Sequence, residues 1–202
     1  MAALTTQVLE SGDRLSQTEF HRRYCARPDI RKAELVEGVV YVASPVRVLH
    51  GEPHGDVMGW LAAYKAKTPG VRLGDNMTVI LDDDNEVQPD AFLWREAPDG
   101  PVVNEDGYLE GAPQLVVEIA ASSASYDLHD KMRAYRRNGV REYVVWRVLD
   151  QAVDWFRLTE GEYARVEPDE RGIIESAVFA GLRLHVAMML AGDLAGVLAQ
   201  LG

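Results

Sequence analysis

The chain has 202 residues, 47% hydrophobic and 26% charged, with a formal net charge of −11. At ~150 residues per domain this is one domain with room for an arm, and the composition excludes a disordered, collagen-like or coiled-coil chain. The negative charge excludes a globally basic nucleic-acid coat and simple adhesion to anionic membranes, but leaves room for a local basic patch or a bound metal.

Residues 1–33 read as a helical arm, with a short helix over Thr18–Cys25 capped by Ser16 or Thr18. Residues 34–202 read as a single α/β domain. Its first run, Leu35-Val-Glu-Gly-Val-Val-Tyr-Val-Ala, predicts a hairpin or a long strand bent at Gly38. Val57, Leu61 and Tyr64 recur at helical spacing, predicting a helix from Pro53 to Lys67 that ends at Pro69-Gly70. Three strands follow, over Val71–Leu73, Met77–Leu81 and Val87–Trp94, with a turn at Asp82–Glu86 and a loop after Ala97. Leu115-Val-Val-Glu-Ile-Ala is nearly continuous apolar sequence, as expected of a strand buried on both faces. Ser122–Asp127 reads as a loop and cap, and a helix over Asp127–Asn138 is stopped by Gly139. Then come a strand from Glu142 to Val148, a hairpin turning at Glu160-Gly161, and an amphipathic helix from Met188 to Leu201. Strands interleaved with crossover helices predict a mixed central sheet flanked by helices.

Two carboxylates stand where carboxylates are costly. Side chains alternate along a strand, so Glu118 shares a face with Val116 and Ala120. A buried, unpaired carboxylate costs several kcal/mol or takes up a proton, so it needs a cation, a metal or that proton. Asp90 follows Pro89 and precedes Ala-Phe-Leu-Trp. For either residue alone the plainer reading is a turn aspartate, or a glutamate paired with an arginine. The next helix changes the balance. Leu128, Met132 and Tyr135 form its apolar stripe, with Lys131 at the edge. The short 120–127 connection returns it onto the sheet, so Asp90, Glu118 and Lys131 are expected to converge at one edge. Two carboxylates with a lysine suit metal-assisted phosphodiester hydrolysis: hard oxygens hold Mg²⁺ or Mn²⁺, and the amine positions the nucleophile or stabilises charge.

Pro89-Asp90 followed by Glu118-Ile-Ala resembles the Pro-Asp…(Asp/Glu)-x-Lys signature of the restriction-endonuclease-like nuclease superfamily. The wider text resembles the Uma2 family within it: Glu34-Leu-Val-Glu-Gly, His54 before a long helix, Gly111-Ala-Pro-Gln-Leu-Val-Val-Glu-Ile, Asp127-x-x-x-Lys131-x-x-x-Tyr135, Gly139-Val-Arg-Glu-Tyr and Gly181-Leu-Arg-Leu. The resemblance implies the restriction-endonuclease-like fold and an Mg²⁺-dependent nuclease site acting on nucleic acid, DNA ahead of RNA. It implies Asp90 and Glu118 as metal ligands with the Ile119 carbonyl as a third, and a homo-oligomer, a dimer being the simplest. The signature's lysine position holds Ala120, so Lys131 supplies the amine. Glu34, Glu37, His54 and Tyr135 are further pocket candidates. Glu37 would lie on a strand face with Leu35, Val39 and Tyr41, whereas Glu34 reads as preceding the strand.

Arg133, Arg136 and Arg137 read either as a solvated helix face or as a track for a phosphate backbone. His50-Gly-Glu-Pro-His54 lacks zincin spacing, and Pro53 is expected to break any helix between the histidines. Cys25 is the single cysteine, which excludes a disulfide framework. No leader-like start and no apolar run of the ~18–20 residues a span needs is visible, so a cytoplasmic protein is expected. The alternative to a nuclease is a catalytically inactive module of the same fold that binds nucleic acid or protein, with Glu118 and Lys131 as a structural ion pair. A two-carboxylate glycosidase leaves the lysine unexplained.

Overall fold

The computed structural model describes residues 8–45, 47–98, 100–121 and 124–202. The Ser16 hydroxyl accepts the Glu19 N–H and caps α1 (Gln17–Cys25). Phe20 fastens α1 to the domain, packing with Leu9, Ala33, Leu35 and Val40. β1 (Ala33–Val36) and β2 (Val39–Val42) form the hairpin. Its two turn residues, Glu37 and Gly38, have φ of 52° and 72°, the mirror-image turn whose twist matches paired strands. Glu37 therefore occupies the turn, while Glu34 lies within β1 and is buried.

α2 (Val48–Lys67) begins ahead of Pro53 and carries it inside. A proline one turn into a helix forfeits a single bond, to the Leu49 carbonyl, and Leu49 is exposed, so water can serve that oxygen. His50 and His54 are thereby one turn apart on one helical face.

β3 (Arg72–Asp75), β4 (Val79–Asp82), β5 (Asn85–Val87) and β6 (Ala91–Trp94) come next. The strand expected over Val87–Trp94 is two strands belonging to different sheets. Pro89 has no N–H to give a ladder, and Gln88-Pro89-Asp90 is the crossover between them. Two short strands, β7 (Val102–Val103) and β8 (Leu109–Glu110), interrupt the expected loop. β9 (Leu115–Ala120) is buried at every residue.

The helix after β9 comprises α3 (Ala124–Tyr126), a π-helical turn (Asp127–Lys131) and α4 (Met132–Arg137). Ser122 and Ser123, read as loop, lie outside the described residues. β10 (Glu142–Arg147), β11 (Ala152–Thr159) and β12 (Glu162–Arg165) follow, then a ribbon of β13 (Ile173–Glu175) and β14 (Arg183–His185). The single C-terminal helix expected over Met188–Leu201 is two, α5 (Val186–Leu190) and α6 (Leu194–Leu198). Gly192, at φ 72°, breaks the first, and the Asp193 carboxylate caps the second.

The described strands build a mixed α/β architecture of two six-stranded sheets, not one central sheet. Their orders are β2-β1-β5-β4-β8-β7 and β12-β11-β10-β9-β6-β3. In the second, β9 runs parallel to β10 and antiparallel to β6. One face of β9 (Leu115, Val117, Ile119) packs with Val57, Trp60 and Leu61 of α2. The other (Val116, Ala120) packs with Ala134 and Tyr135 of α4. Glu118 shares that second face, as alternation requires.

Gly74 of β3 pairs with Phe92 of β6. A Cβ at Gly74 would stand 2.1 Å from the Phe92 ring, which is fully buried. Gly74→Ala is expected to cost about 1–3 kcal/mol by overpacking, read as a lower urea midpoint with an unchanged slope.

Candidate active site

Asp90 is the last residue of the crossover. The β6–β9 register, with Ala91 opposite Val117, puts Asp90 opposite Glu118. Cross-strand neighbours share a face, and both carboxylates are nearly inaccessible, at 3% and 2% exposure. The Ile119 N–H donates to Asp90 Oδ2 at 2.8 Å. Along a strand a residue's N–H and C=O point to the same edge, so the Ile119 carbonyl also faces the Asp90 side of β9. Lys32 Nζ donates to Asp90 Oδ1 at 3.2 Å, and His50 Nε2 lies 3.1 Å from Oδ2. Burial alone would raise the Asp90 pKa, but the His50 hydrogen bond and the Lys32 charge outweigh it and hold this carboxyl well below the usual range.

The inner half of the site hangs from the helix after β9. Asp127, Lys131 and Tyr135 are spaced by four, and the wide π turn carries the first two into the interior, where both are buried. Lys131 Nζ donates to Glu118 Oε1 at 2.9 Å and lies 3.0 Å from Glu34 Oε1 and 4.0 Å from Asp127 Oδ1. The Tyr135 hydroxyl donates to the same Glu118 oxygen at 2.7 Å. Glu34 Oε1 also accepts the Gln88 N–H at 2.8 Å, tying β1 to the crossover. Carboxylates crowd one ammonium. Burial, reinforced by the charges of Asp90, Asp127 and Glu34, pushes Glu118 up to about 8 despite Lys131. Burial by itself would lower the Lys131 pKa, yet Glu118, Glu34 and Asp127 raise it well above the ordinary value. Burial thus favours the protonated form of Glu118, while the surrounding acids favour the charged form of Lys131.

That proton has a consequence for stability. The folded chain retains it where the unfolded chain, with an ordinary carboxylate near 4.5, has released it. The contribution from Glu118 is full below about pH 4.5 and is lost as pH rises toward about 8. Unfolding free energy measured across this window should fall for the parent and run flatter for Glu118→Gln. Equal slopes would contradict the assignment.

Of the other pocket candidates, His54 joins the cluster. Its Nε2 is 3.0 Å from the Asp90 carbonyl oxygen and 3.1 Å from Asp75 Oδ1. Glu37 does not join it. From its turn it pairs with Arg137 at 3.1 Å. The three helix arginines are each engaged by acids, Arg133 by Asp130, Arg136 by Glu162 and Arg137 by Asp82. They form a surface ion-pair network rather than a bare basic stripe.

A profile of the Uma2 family, described as "Putative restriction endonuclease", matches residues 18–187. The chain belongs to the Uma2 family. Its architecture is similar to a solved structure titled as a putative nuclease belonging to DUF820 from Anabaena variabilis. The TM-score is 0.64 at 15% identity, over 79% of this chain and 90% of the other. No curated protein matches. No helix among the described residues is long and apolar enough to cross a membrane.

Two contacts of Asp90 in this Uma2 chain, Lys32 and His50, are not expected from the sequence. Lys32 sits in the segment that reads as an arm, and only its place just before Glu34 of the hairpin hints at a role. His50 was set apart from the helix because of Pro53. Its i, i+4 relation to His54 is the signal that would have found it.

Proposed function

We propose that this chain is a divalent-cation-dependent phosphodiesterase acting on nucleic acid, DNA ahead of RNA. The observation that carries this reading is the placement of Asp90, one residue before β6, opposite Glu118 of β9, with carboxylates in excess of the amines that meet them. Among the described residues no three His, Cys, Asp or Glu side chains stand together as a metal site. Mg²⁺ asks for less: one or two carboxylates, with water completing an octahedron. Asp90, Glu118 and the Ile119 carbonyl fit that demand as hard oxygen donors on adjoining segments, and the buried acids around Glu118 outnumber the one ammonium they share. Bound there, Mg²⁺ or Mn²⁺ would activate a water and offset phosphate charge.

The chain's own groups divide the remaining work. The Ile119 N–H orients Asp90, and the Tyr135 hydroxyl with Lys131 fixes Glu118. Lys131, at 3% exposure between two carboxylates, acts as a positioning residue. The amine nearer solvent is Lys32, whose side chain is 24% exposed, as His50's is 23%. Both suit a phosphate oxygen arriving over Asp90. Asn76 accepts from Lys32 at 3.0 Å and keeps it at the mouth.

Burial of the Lys131–Glu118 pair also favours a second reading, a non-catalytic binding module of the same fold. A mixed pool of single- and double-stranded DNA and RNA, incubated with Mn²⁺ and stoichiometric protein, separates the two. We expect cleavage that stops with EDTA. Binding that survives EDTA, with the pool intact, would overturn the nuclease reading in favour of the module.

A further inference from the structure

A cavity of about 300 Å³ has a lining that includes His21, Cys25, Arg27, Thr78, Gln88 and Tyr108. His21 and Cys25 are one turn apart on α1 and share its face. Cys25 Sγ lies 3.4 Å from His21 Nε2. On the other side of the ring, His21 Nδ1 lies 2.9 and 3.0 Å from the two oxygens of Glu86. Glu86 is buried, and Gln17 Nε2 donates to it at 2.8 Å, which fixes its direction. An ionised carboxylate only accepts, so His21 Nδ1 carries the proton and the lone pair of Nε2 faces the thiol. The Tyr108 ring stands edge-on to His21 at 4.8 Å, with its hydroxyl 3.8 Å from Sγ. Nucleophile, base and orienting carboxylate stand in the order that activated nucleophiles require. The thiol itself is exposed.

We propose that Cys25 is a reactive thiol that exchanges with low-molecular-weight disulfides, with His21 as proton acceptor and Glu86 as its positioning residue. His21 Nε2 takes the thiol proton as Sγ attacks one sulfur of the disulfide. The Cys25–sulfur bond forms and the incoming S–S bond breaks. The departing thiolate takes the proton back from His21. The products are a mixed disulfide on Cys25 and one free thiol, and no other oxidant is needed.

Position selects this chemistry over acyl transfer. Cys25 is the last residue of α1, and a helix C-terminus presents carbonyl oxygens that disfavour both a thiolate and an oxyanion. The thiol therefore needs a base, and disulfide exchange forms no oxyanion. Arg27 in the lining is paired with Asp29 at 2.7 and 2.8 Å and Lys32 with Asp90 at 3.2 Å, so neither sets the charge of the disulfide. None of this depends on the nuclease reading.

The test uses the full chain and glutathione disulfide, followed by intact mass. Cys25 is the single cysteine, so any adduct reports it. At pH 7 the folded chain should react about tenfold faster than the same chain unfolded in urea, and His21→Gln about tenfold slower than the folded parent. Glu86→Gln should fall between. The differences should close near pH 10, where thiols ionise unaided. A folded rate at or below the unfolded rate would overturn the proposal, as would a folded His21→Gln reacting as fast as the parent at pH 7. Should His21→Gln fail to fold, the folded-against-unfolded comparison decides alone.

Discussion

Lys131→Ala is expected to lower the unfolding free energy by about 3–5 kcal/mol, read from urea denaturation at pH 7. The ammonium is fully enclosed and meets Glu118 at 2.9 Å and Glu34 at 3.0 Å. Without it these buried acids face one another with no cation, and Glu34 still accepts the crossover's backbone N–H. Glu118→Gln should cost far less. Burial already favours the uncharged form of Glu118, and an amide keeps an oxygen for Lys131 and Tyr135. The contrast matters more than either value. A purely apolar role for the lysine stem would make Lys131→Met harmless, whereas the ion network requires Lys131→Met to be nearly as damaging as Lys131→Ala. A Lys131→Met variant as stable as the parent would remove Lys131 from the account.

The second large effect is on activity. Asp90→Asn should reduce divalent-dependent cleavage by about 10²–10³-fold or more, because a preorganised charge at the reacting centre is lost. Its fold should survive, since the one amide oxygen can still accept the buried Ile119 N–H, while Lys32, partly exposed, loses its Asp90 acceptor but keeps Asn76. Circular dichroism and the urea midpoint check that survival. Cleavage retained at the parent's rate in folded Asp90→Asn would exclude Asp90 from the chemistry.

Strict local rules made part of this legible from sequence. Alternation put Glu118 on the face of β9 opposite Val117 and Ile119, and the two hydrophobic clusters divide along that line. Glycine after glutamate marked two of the tight hairpins, at Glu37-Gly38 and Glu160-Gly161. The Asp127, Lys131, Tyr135 spacing pointed inward, though an ideal helix put Lys131 only at the stripe's edge and the π turn carries it fully inside. What stayed hidden is non-local. Asp90 takes Lys32 from 58 residues away and His50 from 40, and no window of sequence shows that meeting. The division into two sheets is hidden at the proline-bearing crossover, which reads as a continuous strand until the partners of β5 and β6 are known. Glu37 was misjudged for a plainer reason: in a two-residue turn, positive φ takes a side chain out of the strand's alternation.

The most direct test of the central claim is calorimetric titration of the chain with Mn²⁺, compared with Asp90→Asn and Glu118→Gln. It needs no knowledge of the substrate. The account predicts one site per chain in the parent, proton release at pH 7 as the cation displaces the Glu118 proton, and no binding in either variant. Binding that persists in both variants would put the cation elsewhere and contradict the assignment of these two carboxylates.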